Sequence, residues 1–202
     1  MLKFINLVLF TIAVIVGITF FTVDKPVEHT DKNASSKTVE KKEIKLSLNY
    51  FPNSVEVIGK DKLVKKNQLF SVSSKTLLIV GNHDSMSVIK DLKKHFDIKI
   101  PYVMVANISN APWFIKKWAI PGKLLELTQD VDSPMIFDDE GLVVQSLALY
   151  NTEPTKYFVY IVHVNGDITN VYTGSVKEGA LEYGITDDET KTALSPILEF
   201  LN

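Results

Sequence analysis

The sequence predicts an α/β sandwich built on a central mixed β-sheet and preceded by one N-terminal transmembrane helix. Three observations carry that expectation. Residues 4–23 form a run of 20 whose one strongly polar member is Asn6. Residues 77–80 are a continuous apolar run, as in a strand covered on both faces, followed by a stretch of helical periodicity and a second strand. Residues 157–164 and 168–173 are rich in strand formers and flank Asn165-Gly166, the spacing of an antiparallel hairpin.

The chain has 202 residues, a formal net charge of −2, 46% apolar and 23% charged residues. That balance is too apolar for a disordered protein and leaves room for one ordinary domain with additions. Cysteine is absent, which excludes disulfides, thiolate metal sites and thiol nucleophiles. All 22 basic residues are lysine, so no guanidinium fork clamps a phosphate or carboxylate, which weighs against nucleotide and nucleic-acid readings.

As a helix, residues 4–23 span about 30 Å at about 1.5 Å per residue, the thickness of a bilayer's hydrocarbon core. A cleaved signal peptide has a shorter apolar region that ends in small residues. Here the run ends Phe20-Phe21-Thr22-Val23-Asp24, so residues 1–23 read as a retained signal anchor. Lys3 precedes the span, and Lys25, Lys32 and Lys37 follow it, so lysine counting leaves orientation open. Long domains cross largely regardless of charge, which makes an anchor ahead of a translocated domain the simpler layout. The expectation is a single-pass membrane protein with its domain on the periplasmic or extracytoplasmic side.

Residues 24–45 contain six Lys and five Asp or Glu among 22 residues, with no Phe, Tyr or Trp. This is the composition of a disordered tether. Within it, Asn33-Ala34-Ser35 carries the Asn-x-Ser acceptor pattern, with Asp31 placed as in extended bacterial sequons. Solvated linker is the favoured reading of Asn33, with glycosylation as the sharper alternative.

Residues 46–202 make one domain of 157 residues, with 15 Lys against 19 acids. The length suffices for a self-sufficient core, and the resulting charge of −4 has the wrong sign for a nucleic-acid binder. Residues 55–58 read as a short strand ending at Gly59, and residues 77–80 as the first core strand. In the helix that follows, Val88, Ile89, Leu92 and Phe96 share one face while Lys90, Asp91, Lys93 and Lys94 face water, and Asp84 or Ser85 caps the first turn. A strand over 102–106 and a short helix over 112–118 come next. Residues 135–137 form a strand closed by the turn Asp138-Asp139-Glu140-Gly141, and residues 142–149 a short helix. After the hairpin, Thr186 and Glu189 make a capping box for the last helix. Leu194, Ile197, Leu198 and Leu201 face the core there, and Pro196 kinks or splits the helix.

This order, with the run Ser133-Pro134-Met135-Ile136-Phe137-Asp138-Asp139-Glu140-Gly141, then Glu153-Pro154-Thr155 and the hairpin closing at Gly174, resembles the thioredoxin-like superfamily. Membrane-tethered thiol-disulfide oxidoreductases and peroxiredoxin-like proteins show a similar run, and the likeness covers roughly residues 76–201. The resemblance implies a cis bond at Pro154, facing a loop at the start of the first helix. It places the family's cysteine site at Gly81-Asn82-His83-Asp84-Ser85-Met86, which holds no sulfur nucleophile, so the family's redox activity is not carried over. The cleft it implies comprises Asn82, His83, Asp84, Ser85 and Met86 together with Glu153, Pro154 and Thr155. The backbone of that last segment would be open to pairing with an extended peptide.

Other constellations have bland readings that outweigh the sharp ones. His83, Asp84 and Ser85 are adjacent, whereas a catalytic triad is assembled from separate segments, so a helix cap with a surface histidine is favoured. Asp138-Asp139-Glu140-Gly141 lacks the alternating spacing of a calcium loop and reads as a solvated turn. His163, in the middle of a central strand, reads as a buried, hydrogen-bonded histidine. Trp113, Phe114 and Trp118, between Pro112 and Pro121, read as core packing ahead of a peptide groove, with exposure of Trp113 reversing that order.

The leading expectation is therefore a binding or assembly module without redox activity, cofactor or metal. It is attached to the membrane through its N-terminal helix and holds an extended peptide or another envelope protein in its cleft. The alternative is a non-redox enzyme using a metal, or His83 and acids, in the same cleft.

Overall fold

The structure, a computed structural model, describes residues 45–201 apart from 113–115, 117–119, 130 and 132. These lie within the second of the two units into which the chain divides, Glu43–Asn202. The expected anchor, residues 24–44 of the expected tether, Asn33, Trp113, Phe114 and Trp118 lie outside the described residues. Among the described residues no helix is long and apolar enough to cross a membrane.

The continuous apolar run becomes the central strand β4 (Thr76–Gly81), buried at every residue. Parallel β5 (Tyr102–Asn107) lies on one side of it and antiparallel β7 (Lys156–Val162) on the other. β6 (Met135–Asp138) adds parallel to β5, and β8 (Asp167–Ser175) adds antiparallel to β7. β1 (Leu46–Ser47) pairs with Ile168 and Asp167, giving the order β1-β8-β7-β4-β5-β6. β2 (Ser54–Val55) and β3 (Val64–Lys65) form a separate two-stranded ladder.

Alternation along β4 divides the core in two. Leu77 and Ile79 pack with Met86, Ile89, Leu194 and Ile197, while Leu78 and Val80 pack with Phe51, Phe70 and Val143. The helices are α1 (Lys66–Leu69), α2 (His83–Ile89), α3 (Leu92–His95), α4 (Ile120–Thr128), α5 (Leu142–Ser146), α6 (Ala180–Tyr183) and α7 (Asp187–Leu194).

Several elements differ from the sequence reading. The strand expected over 55–58 leaves its ladder after Val55 and touches the central sheet through one bridge, Val57 to Ile136. The single helix expected after β4 is two, because Asp91 leaves helical geometry (φ −88°, ψ 5°) and its N–H bonds to the Val88 carbonyl three residues back. The apolar face survives the break, with Val88, Ile89 and Leu92 fully buried. α4 was not expected: Pro121 sits in its first turn, where no intrahelical N–H partner is needed.

The hairpin loop has three residues, not two. His163 N–H donates to the Asp167 carbonyl and Gly166 N–H to the His163 carbonyl, each at 2.9 Å. Only Gly166 takes positive φ (83°), while the Asn165 side chain accepts the Asp167 N–H at 3.0 Å. This is a type I turn closed by a left-handed glycine. His163 consequently sits just past β7, half-buried, with Nε2 3.1 Å from Thr169 Oγ1, and is not in the middle of the strand. At the C-terminus the capping box is present: Glu189 N–H donates to Thr186 Oγ1 at 3.2 Å, and Thr186 N–H donates to Glu189 Oε2 at 3.0 Å. α7 stops before Pro196, and the chain continues as the 3₁₀ turn Ser195–Phe200, with Leu194 and Ile197 fully buried and Leu198 and Leu201 half-buried.

Candidate functional site

The site forms at the C-terminal end of β4. Gly81 is where α2 comes closest to the strand: a Cβ there would lie 2.6 Å from Met86 Sδ and 2.7 Å from Ile89 Cδ1. Asn82 follows, buried, and its amide works in both directions. Nδ2 donates to the Glu153 carbonyl at 2.8 Å, and Oδ1 accepts from Asn107 Nδ2 at 2.8 Å. Ser109 Oγ donates to Asn107 Oδ1 at 3.0 Å, so the ends of β4 and β5 are tied by side-chain amides. Asn107 and Ser109 were missed in the sequence. The available signal was a polar residue ending an apolar strand, the same signal that Asn82 gives.

The three adjacent residues after Asn82 are committed to structure in different ways. Ser85 closes the first turn of α2, accepting the Asn82 N–H at 2.8 Å, and its hydroxyl lies 2.8 Å from the Lys156 carbonyl to which it can donate. Asp84 does not cap α2. Its buried carboxylate accepts the backbone N–H of Gly179 at 2.9 Å and of Leu181 at 3.4 Å, at the start of α6. His83 Nδ1 lies 3.2 Å from Asp84 Oδ1, and the His83 side chain is 56% exposed.

Glu153, Pro154 and Thr155 do lie opposite this turn, but the Glu153–Pro154 bond is trans, since no cis peptide occurs among the described residues. In that geometry the Pro154 carbonyl accepts the N–H groups of Asp84 and Ser85 at 2.9 and 3.3 Å. The Glu153 carbonyl takes Asn82 Nδ2 and the Lys156 N–H, and the Thr155 carbonyl takes the Val176 N–H at 3.0 Å. All three carbonyls are satisfied internally. An incoming strand finds no acceptor there, and the expected peptide-pairing edge is corrected on that ground.

What the start of α2 offers instead is an apolar cavity of about 380 Å³. Met86, Ile108, Leu124, Leu127 and Leu181 supply its wall, and Asn82, His83 and Lys123 its polar groups. Of the cleft residues read from the sequence, Asn82, His83 and Met86 line it, Asp84 and Ser85 lie buried beside it, and Glu153, Pro154 and Thr155 stand outside its lining. The wall contributed by α4 and α6 was not legible, because neither helix was expected.

Asp138, read as part of a solvated turn, is buried. Its oxygens accept the N–H groups of Val143 at 3.1 Å and Val144 at 2.9 Å, capping α5. Burial pushes its carboxyl above the ordinary carboxylate range, and the backbone hydrogen bonds pull the other way without prevailing. Among the described residues no group of three or more His, Asp or Glu is placed to hold a metal ion.

The parallel β4–α2–β5 unit, the antiparallel β7–β8 hairpin and the closing α7 around one mixed sheet fit a thioredoxin-like fold. The chain is similar to peroxiredoxin Q of Xanthomonas campestris, at 10% identity over 79% of this chain and 99% of that one, with a TM-score of 0.45. It is also similar to ScoI of Bradyrhizobium japonicum, solved with copper bound, at 12% identity over 74% of this chain and 98% of that one, with a TM-score of 0.35. No family model and no curated protein matches the chain.

Proposed function

We propose that the chain is a membrane-anchored binding module whose thioredoxin-like domain faces an extracytoplasmic space. In this reading it holds an apolar side chain of another envelope protein in the cavity beside His83. The observation that carries the reading is the cavity itself: about 380 Å³, walled by leucine, isoleucine and methionine, at the C-terminal end of the central strand. Its size falls within the roughly 300–1,000 Å³ of small-ligand sites. The apolar run of residues 4–23 and the charged stretch after it support the anchor and tether. The absence of cysteine removes thiol chemistry.

The His83–Asp84 contact at 3.2 Å favours a second reading, a non-redox enzyme in which the carboxylate orients the imidazole as a general base. Ser85 supplies no nucleophile to such a base, since its hydroxyl is buried among backbone partners.

The deciding experiment places a photoreactive phenylalanine at His83 in cells producing the full chain. A discrete crosslinked protein is expected, and Leu127→Glu, which sets a charge in the cavity wall, should reduce its yield at least tenfold. No discrete product, or one indifferent to Leu127→Glu, would overturn the binding reading. A turnover lost on His83→Gln in the purified full chain would replace it with the enzyme.

A further inference from the structure

The strand-pairing surface that residues 153–155 lack is present on the other strand of the same hairpin. β8 runs for nine residues, yet β1 covers only Asp167 and Ile168, and among the described residues no strand lies beside the rest. The Val176 N–H donates to the Thr155 carbonyl at 3.0 Å, in the register that sets Gly174 opposite Tyr157 and Tyr172 opposite Val159. In an antiparallel ladder that bond fixes the alternation. Tyr172 and Gly174 turn their backbone groups toward β7, and Thr173 and Ser175 turn theirs outward, with exposed side chains.

Beside this edge lies a groove of about 580 Å³ between β8 and α7, with Tyr172, Val176, Ile185, Thr192 and Ala193 in its lining. Lys177 Nζ meets Glu189 Oε1 at 3.1 Å, linking the segment after β8 to α7. Gly174 adds no side chain to the groove, because the Tyr157 ring fills the place where its Cβ would project.

The geometry points to a second docking site, separate from the cavity beside His83: an extended segment of another polypeptide adds to β8 as a strand. Its backbone bonds to the N–H and C=O groups of Thr173 and Ser175, and one of its alternate side chains, an apolar one, sits between β8 and α7. The occupant follows from the chemistry of the edge. Donors and acceptors repeating every second residue, about 6.6–6.8 Å apart, match an extended backbone and not a helix, whose own groups are already bonded. The groove's wall of tyrosine, valine, isoleucine and alanine selects an apolar side chain.

The test uses the full chain in detergent micelles. The probe is a pool of nine-residue synthetic peptides that alternate threonine with leucine, valine or phenylalanine. At saturation with the tightest binder, amide exchange over residues 172–176 should slow at least tenfold. Thr173→Pro and Ser175→Pro each remove an outward N–H at an edge position that tolerates proline, so each should weaken binding at least tenfold with an unchanged circular dichroism spectrum. The same peptide N-methylated at alternate amides should fail against the native chain, which keeps the test valid if either proline variant misfolds. Absence of any peptide that slows exchange there, or equal binding of the N-methylated peptide, would overturn the proposal. So would protection that appears without peptide and tracks a concentration-dependent dimer in sedimentation, which would make the occupant a second copy of this chain. Binding at the cavity is read separately, since Leu127→Glu touches neither β8 nor α7.

Discussion

The Asp84 carboxylate accepts the Gly179 N–H at 2.9 Å across 95 residues of sequence, and a second bond, from the Leu181 N–H, falls to the same group at 3.4 Å. One buried side chain thus satisfies donors at the start of α6 that no helix can satisfy itself. Asp84→Ala should cost about 2–3 kcal/mol, because it leaves buried donors without a partner, and Asp84→Asn, which keeps one acceptor, should cost less. His83→Gln and Glu153→Gln, at exposed side chains, should stay within about 0.5 kcal/mol of the native chain. Urea denaturation checks all four, and near-equal effects of Asp84→Ala and His83→Gln would show that the Asp84 contacts hold nothing.

Gly174 and Tyr157 make a complementary pair. The phenol lies over the glycine and donates to the Ala193 carbonyl, joining β7 to α7. Gly174→Ala forces a methyl into the ring and should cost about 1–3 kcal/mol, the usual price of overpacking. Tyr157→Leu should cost a similar amount through the lost bond and lost volume. The double variant should cost clearly less than the sum, since each change relieves the other, and strict additivity would mean that the two residues do not compete for space.

Two carboxylates should bend the stability curve in opposite directions. Glu189 is held down to about 2 by the Thr186 backbone bond and by Lys177. A depressed folded pKa gives stability that is present above the ordinary value of 4.5 and lost as pH falls toward about 2. Asp138 is raised above 3.8 by burial. Its contribution is present below 3.8 and lost as pH rises through the higher folded value. Glu189→Gln, which keeps the cap, should flatten the acid limb, and Asp138→Asn should remove a loss of stability that begins just above pH 4. Thermal unfolding from pH 2 to 7 reads both, and a native curve unmoved by either substitution would refute these signs.

Elements whose own residues set their burial were legible. Residues 77–80 and 102–106 have strand-forming side chains on both faces, and Thr186 and Glu189 cap within four residues. Elements defined by partners far along the chain were not. α6 is capped by Asp84, and nothing near Gly179 announces it. The turn at residues 138–141 looked solvated because three acids adjoin, yet Asp138 points back into α5. The candidate site was half legible for the same reason. Asn82, His83 and Met86 stand at a strand-to-helix junction that sequence can mark, whereas Leu124, Leu127 and Leu181 reach the cavity only through the packing of two unforeseen helices. Pro154 was found in place and trans, because internal donors claim the carbonyls around it.

The membrane anchor gives the last prediction. Residues 4–23 carry no charge, and as a helix they would match a hydrocarbon core about 30 Å thick. Transferring a run that apolar back to water is far costlier than breaking surface ion pairs, so high salt and alkaline carbonate should leave the full chain in the membrane fraction. A version lacking residues 1–23 should leave it entirely. Protease added to spheroplasts should remove the domain, while protease confined to the cytoplasmic face of inverted vesicles should spare it. A soluble form beginning near Asp24 would show that the segment is a cleaved signal. Digestion only from the cytoplasmic face would keep the anchor and reverse the orientation, which Lys25, Lys32 and Lys37 after the span would then explain.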